Sequence, residues 1–255
     1  MINDPSAIQE AGQTDLLKKI GEMEKLHLQS EQMLKELNKF AYVVSHDLKA
    51  PLNGIISLIE ELKEDYSLKL DSQGVQLIDL ILGLSRKLIV MINEILEYSR
   101  ASNTIITKKQ PVNLSELLQE ITELLHAPKG FQVLFERKNQ SIITSKIALQ
   151  QILLNLCSNA VKYNDKPNGI IRIEFQEDKD FYYLSVKDNG PGIPAEYHEK
   201  IFELFQTLNK VDRFQETGTG IGLTTVKKLV GRLGGNIAVE SKQGEGTLFL
   251  FNIKK

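Results

Sequence analysis

The apolar positions divide this chain into two unlike halves. From about residue 15 to 100 they recur at helical spacing, with few glycines between them. A heptad runs through Met23, Leu26, Met33, Leu37, Phe40 and Val44, with Ser30 as its weak position. The period continues through Leu48, Leu52, Ile55, Ile59 and Leu62. Polar residues over 63–74 predict a loop, and a second seam follows at Leu77, Ile81, Leu84, Leu88, Met91, Ile95 and Tyr98. Two long helices joined by a short loop form an antiparallel helical hairpin. One hairpin buries its stripe on a single side, so two of them pairing into a four-helix bundle is the expected solution, and with it a homodimer. The first helix also carries a second apolar register through Ile20, Met23, His27, Leu34, Leu37, Ala41 and Val44. A broad stripe of the ordinary kind accounts for it; a helix that rotates between two packings is the sharper alternative.

After Ser99 the pattern changes to short strands alternating with helices. Residues 114–125 read as an amphipathic helix with Asn113 or Ser115 placed to cap it. Strands are expected over 132–136, 141–144, 170–175 and 181–187. Helices are expected over 148–162 and 224–233. A hairpin across Gly234-Gly235 and the glycines at 244 and 246 completes an α/β sandwich. The break near 101–109 is the expected domain boundary. The fold class is therefore multidomain, α plus α/β.

Composition narrows the field without choosing within it. Hydrophobic residues make up 42% of the 255 and charged residues 25%, ordinary values for a globular chain. A net charge of −2 gives no reason to expect nucleic acid as a partner. The single cysteine, Cys157, cannot close an internal disulfide and fits a reducing cytoplasm; in its apolar run it reads as a small buried side chain. The most apolar long stretch, 77–96, contains Asp79, Arg86, Lys87, Asn93 and Glu94, too many polar groups for a membrane span. No metal-ligand spacing surrounds His27 or His198, His126 ends a helix where a cation is favourable, and Lys210 and Arg213 read as solvated loop charges rather than phosphate contacts.

The candidate chemistry lies in four short segments. His46-Asp47 sits on the helical pattern with Pro51 five residues after the histidine. His46 is two residues from Val44 and two from Leu48, roughly 200° from the stripe at helical spacing, so it points outward. Asp47 is placed to take a proton from the imidazole, and Pro51 removes a helical N–H beside the site. Asn155 and Asn159, four residues apart on a helix, share one face. Their amide oxygens are neutral hard ligands of the kind that suit Mg²⁺. Asp188-Asn-Gly190-Pro-Gly192 follows a strand directly, an aspartate able to accept from an exocyclic amine beside glycines that admit close backbone approach. Gly218-Thr219-Gly220-Ile221-Gly222-Leu223 opens a helix, where free amides suit phosphate.

In this order the segments resemble the two-component sensor histidine kinases, from about residue 30 onward. His46 stands in what looks like their phosphoacceptor motif; the asparagine helix and the two glycine segments match their ATP-binding boxes, and residues 201–205 match their phenylalanine box. The resemblance implies a linker coiled coil over 1–38, a dimerisation and phosphotransfer domain over 39–104 and a Bergerat-type ATP-binding domain over 105–255. It implies ATP and Mg²⁺ as ligands, with Asn155 and Asn159 on the metal, Lys162 on the phosphates and Tyr163 flanking the base. Asp188 would read the adenine amine, with Thr247 near it. Autophosphorylation of His46, transfer to an aspartate of a separate response regulator receiver domain, and an upstream sensor domain or sensor protein follow as expectations.

Two departures refine the resemblance. Related ATPases of this nucleotide-binding fold place a glutamate four residues before the metal-binding asparagine, where it activates water. Here that position is Asn155, which cannot act as a base. Family members that strip phosphate from their partner commonly carry threonine or asparagine four residues after the histidine. Here Ala50 stands there, so weak phosphatase activity is expected.

Overall fold

A computed structural model describes residues 5–66, 69–100, 108–125, 127–135, 140–208, 213 and 218–255. Most of the expected boundary at 101–109 lies outside these residues, as do His126, Glu136 and Lys210. So do the side chains of Ile20, His27, Ser30, Leu34 and Leu37.

Helix α1 (Pro5–Tyr66) and helix α2 (Ser72–Arg100) form the hairpin. The expected loop is shorter than its polar composition implied, because polar residues at both ends extend the helices. The Tyr66 carbonyl accepts from the N–H groups of Lys69 and Leu70, and Asp71 accepts from Gly74 N–H at 2.8 Å to start α2. Lys63 to Asp79 at 2.5 Å and Arg86 to Glu60 at 2.7 Å fix the helix register. These are exposed pairs that align the helices while adding little stability. Helix α1 continues through Pro51, which leaves the Asp47 carbonyl without its usual donor four residues on.

The buried face of α2 differs from the seam expected. Ile78, Leu82, Ser85, Ile92, Leu96 and Ser99 are buried, whereas Leu77, Ile81, Leu84 and Leu88 are exposed. The two sets lie one residue apart, about 100° around the helix. Two serines made the true seam look weaker than its neighbour. On α1, Ser45 and Leu52 are buried while Leu48, Ile55 and Leu62 remain exposed. Each helix therefore carries a second apolar face that the hairpin does not cover, and Met23 and Met33 are 70% and 75% exposed.

The second half is a two-layer sandwich. Its mixed sheet has strand order β2-β4-β5-β7-β6, from β2 (Gln132–Phe135), β4 (Ile170–Glu177), β5 (Phe181–Asp188), β6 (Ile237–Lys242) and β7 (Gly246–Lys254). Strand β2 runs parallel to β4; the other neighbours are antiparallel. Strand β1 (Gln110–Asn113), which the sequence reading missed, pairs with β3 (Ser141–Thr144) in a separate two-stranded ladder. Alternation along the central strands puts Ile171, Ile173, Leu184, Val186, Phe249 and Phe251 inward. They meet α3 (Leu114–Leu124), α4 (Lys146–Lys162) and α5 (Gly222–Arg232) in one continuous core. Of the two capping candidates, Asn113 is the cap of α3: its side-chain oxygen accepts from Ser115 N–H and Glu116 N–H. Cys157 is buried in this core, which pushes its thiol up to about 12 and leaves it inert.

Candidate functional site

The three downstream segments converge on one cavity of about 1040 Å³, walled by α4, the loop after β5, the glycine segment before α5, the start of β7 and, from the other half, α2. Asn155, Asn159, Lys162, Tyr163, Asp188, Gly192, Gly218, Thr219, Gly220, Gly222 and Thr247 line it. Gly190 is buried behind Asp188 and does not.

Asp188 ends β5, and the backbone holds it from two directions. Its Oδ1 accepts from Gly190 N–H at 2.7 Å and from Thr247 N–H at 3.3 Å, which leaves Oδ2 for a ligand. Burial pushes this carboxyl above its ordinary value, and the two N–H groups partly offset that. Around it, Ser241 accepts from Ile193 N–H and donates to the Gly246 carbonyl. Asn189 accepts from Asn164 and from Ile170 N–H. Ser241, Asn189 and Asn164 brace the loops that carry the lining residues; nothing in their sequence spacing marked them.

The glycine segment has a steric reason for its composition. Gly220 has φ +73°, and a Cβ there would run into the backbone of Phe205 and Gln206. Helix α5 then begins with no side-chain cap, so its first amides have no partner inside the helix. Positive partial charge at that end favours an anion.

On α4, Asn155 Nδ2 donates to the Gln151 carbonyl at 3.0 Å, which turns its amide oxygen toward Gly222. A Cβ on Gly222 would lie 3.0 Å from that oxygen. Among the described residues no three acidic, histidine or cysteine side chains gather as a metal cluster. A divalent ion would therefore rest on amide and ligand oxygens, a donor set that fits Mg²⁺. Arg213 is not the solvated charge expected: its N–H donates to the Lys162 carbonyl and its guanidinium to the Lys166 carbonyl, 4.7 Å over the Phe131 ring.

His46 and Asp47 lie outside the cavity. Their side chains are 74% and 71% exposed, with His46 Nδ1 3.2 Å from Asp47 Oδ1. That contact favours the tautomer with the proton on Nδ1 and a lone pair on Nε2 facing solvent. Carried along the antiparallel hairpin, the pairs Lys63–Asp79 and Glu60–Arg86 put His46 level with residues 96–100 of α2. Tyr98 is held by α5: Lys228 donates to its carbonyl at 3.1 Å and lies 3.7 Å over its ring. Four residues along α2, Glu94 enters the cavity wall and accepts from the Thr219 hydroxyl.

Residues 36–104 match the family described as His Kinase A (phospho-acceptor) domain, and residues 144–255 match the histidine kinase-, DNA gyrase B- and HSP90-like ATPase family. The chain belongs to the two-component sensor histidine kinases. This histidine kinase is 33% identical over 246 residues to cyanobacterial phytochrome B of Nostoc sp., covering 94% of this chain and 32% of that one. Against the autoinducer 2 sensor kinase/phosphatase LuxQ of Vibrio vulnificus it is 32% identical over 241 residues, 88% of this chain and 27% of that one. It spans about a third of the length of the first curated relatives it matches. Full-length ShkA in complex with AMPPNP superposes on 84% of the kinase chain, using 45% of its own, with a TM-score of 0.64 and 26% identity. Histidine kinase ThkA in complex with response regulator protein TrrA covers 83% of the kinase chain and 61% of its own, with a TM-score of 0.55 and 25% identity. Among the described residues no helix is long and apolar enough to cross a membrane.

Proposed function

We propose that this chain is the catalytic core of an ATP-dependent protein-histidine kinase that phosphorylates His46 and passes the phosphoryl group to an aspartate of a response regulator. The observation that carries this reading is the meeting of Asn159, Asp188 and the glycine segment in one cavity, in a chain that also exposes a histidine hydrogen-bonded to a carboxylate. Asp188 accepts from the adenine amine, Tyr163 flanks the base, and Lys162 with the amides of the glycine segment receives the phosphates. Thr247 N–H holds Asp188 in place. Mg²⁺ would be held by Asn155 and Asn159, where it would neutralise phosphate charge.

In the transfer, His46 Nε2 forms a bond to the γ-phosphorus as the bond to the β-bridging oxygen breaks and ADP leaves. The ring becomes cationic, and its Nδ1 proton passes to Asp47. In the second step an aspartate oxygen of the regulator takes the phosphoryl group as the Nε2–phosphorus bond breaks, and Asp47 returns the proton to Nδ1, which restores the neutral imidazole. Asn155 offers no base for water, which supports transfer over hydrolysis.

The domain limits 1–38, 39–104 and 105–255 belong to the same reading. So does a homodimer, in which the exposed faces through Leu48, Ile55 and Leu62 and through Leu77, Ile81 and Leu88 cover their counterparts in a four-helix bundle. An upstream sensor and a cytoplasmic location complete it.

The test is incubation with γ-labelled ATP and Mg²⁺. Acid-labile label on the protein, absent in His46→Ala and Asn159→Ala, is the expected result. Free phosphate released at the same rate by wild type and His46→Ala, with no label on protein, would make the chain an ATPase instead.

A further inference from the structure

Glu94 makes a contact that transfer to His46 does not require. It projects from α2 into the cavity wall, accepts a hydrogen bond from the Thr219 hydroxyl and feels the positive charge of Lys162. Both partners belong to the set that receives the phosphates. A carboxylate offers oxygen acceptors and the same sign of charge as a phosphate, and here it binds Thr219, in the segment that leads into the uncapped N-terminus of α5. Burial raises the pKa of Glu94, as expected of an anion drawn into a shielded mouth.

We propose that Glu94 is an internal competitor for the phosphate end of the nucleotide, so that docking of α2 on the glycine segment and binding of ATP oppose each other. The inference rests on the nucleotide reading above. Among the described residues, Gln151 to Glu97 at 3.0 Å and Lys228 to the Tyr98 carbonyl also join the halves, and both lie outside the cavity lining. They persist while Glu94 withdraws, which makes Glu94 a latch and the other two a hinge. A displacement of α2 that pulls Glu94 back raises ATP affinity, and bound ATP in turn drives α2 away, because the coupling is reciprocal.

The experiment is calorimetric titration of the full chain with ATP and with ADP in the presence of Mg²⁺, comparing wild type, Glu94→Gln and Glu97→Gln. Glutamine at 94 still accepts from Thr219, so it removes the charge and keeps the contact. We expect Glu94→Gln to bind ATP about tenfold more tightly, with a smaller gain for ADP, which carries less charge. Glu97→Gln, which still accepts from Gln151 and lies outside the cavity lining, serves as the control for a neighbouring charge and leaves both affinities within about twofold. Equal ATP affinity in wild type and Glu94→Gln overturns the proposal, as does an equal gain from Glu97→Gln. If no variant binds nucleotide at all, the reading of the cavity falls and takes this inference with it.

Discussion

On the proposed reading, Asp188→Asn should move nucleotide affinity and protein stability in opposite directions. In the folded chain both backbone contacts fall on Oδ1, from Gly190 N–H and Thr247 N–H. An asparagine oxygen accepts both, so the local backbone keeps its supports. The other oxygen becomes an NH₂ group, which places a donor against the adenine amine. Losing a charge-assisted hydrogen bond costs about 1.5–3 kcal/mol, and an unmatched donor adds roughly 1–3 more, so affinity falls by about two to four orders of magnitude. Stability responds the other way. Burial raises the carboxyl pKa of Asp188, so between its unfolded and folded values the native state holds more protons than the unfolded chain. Stability therefore falls as pH rises through that window, and at neutral pH the ionised group carries its full burial penalty. Asparagine removes that penalty. The assay pairs titration with ATP against thermal melting at pH 7 and at a pH below the window, with the variant's advantage expected at pH 7 alone. A variant that binds ATP within threefold of wild type, or melts well below it at pH 7, would refute the reasoning.

Asp47→Asn should slow labelling of His46 by about 10²-fold or more while leaving ATP affinity and melting temperature unchanged, since the pair is exposed and outside the cavity; labelling at the wild-type rate would remove Asp47 from the proton path. Ala50 offers no side chain to orient water, so a phosphorylated cognate receiver mixed with this protein and ADP should keep its phosphate, and rapid loss would show that phosphatase activity needs no such group. Ile81→Glu should shift the chain toward monomer in analytical ultracentrifugation while ATP binding persists, because Ile81 lies exposed on the second face of α2 and outside the cavity. An unchanged dimer would mean that another surface joins the protomers.

What was legible in the sequence was whatever is local. Each cavity-lining segment is contiguous: the asparagines share a helix face, Asp188 ends a strand beside its glycines, and Gly220 must be glycine because Phe205 and Gln206 crowd it. Contributions from distant segments left no such mark. Glu94 meets Thr219 across 125 residues, Ser241 braces Ile193 across 48, and Arg213 turns back to the Lys162 carbonyl. Strand β1 escaped notice because it is four residues long, contains Pro111 and pairs with β3 in a ladder of two strands. Helix α2 was misread by one position because both faces are apolar; a period identifies a helix but does not say which neighbour a face will meet.

The grip of Lys228 on Tyr98 sets a scale for motion in this kinase. The register puts His46 level with residues 96–100 of α2, and the cavity-lining α2 residue nearest that stretch is Glu94, roughly 3–9 Å along the axis. The cavity thus begins within about two helical turns of the level of His46, on a domain anchored to the same stretch of α2. A load held close to its fulcrum needs little travel. On the proposed reading, a relative shift of about one to two helical turns between α2 and the cavity would bring phosphate and imidazole together, so a short mechanical stroke would suffice.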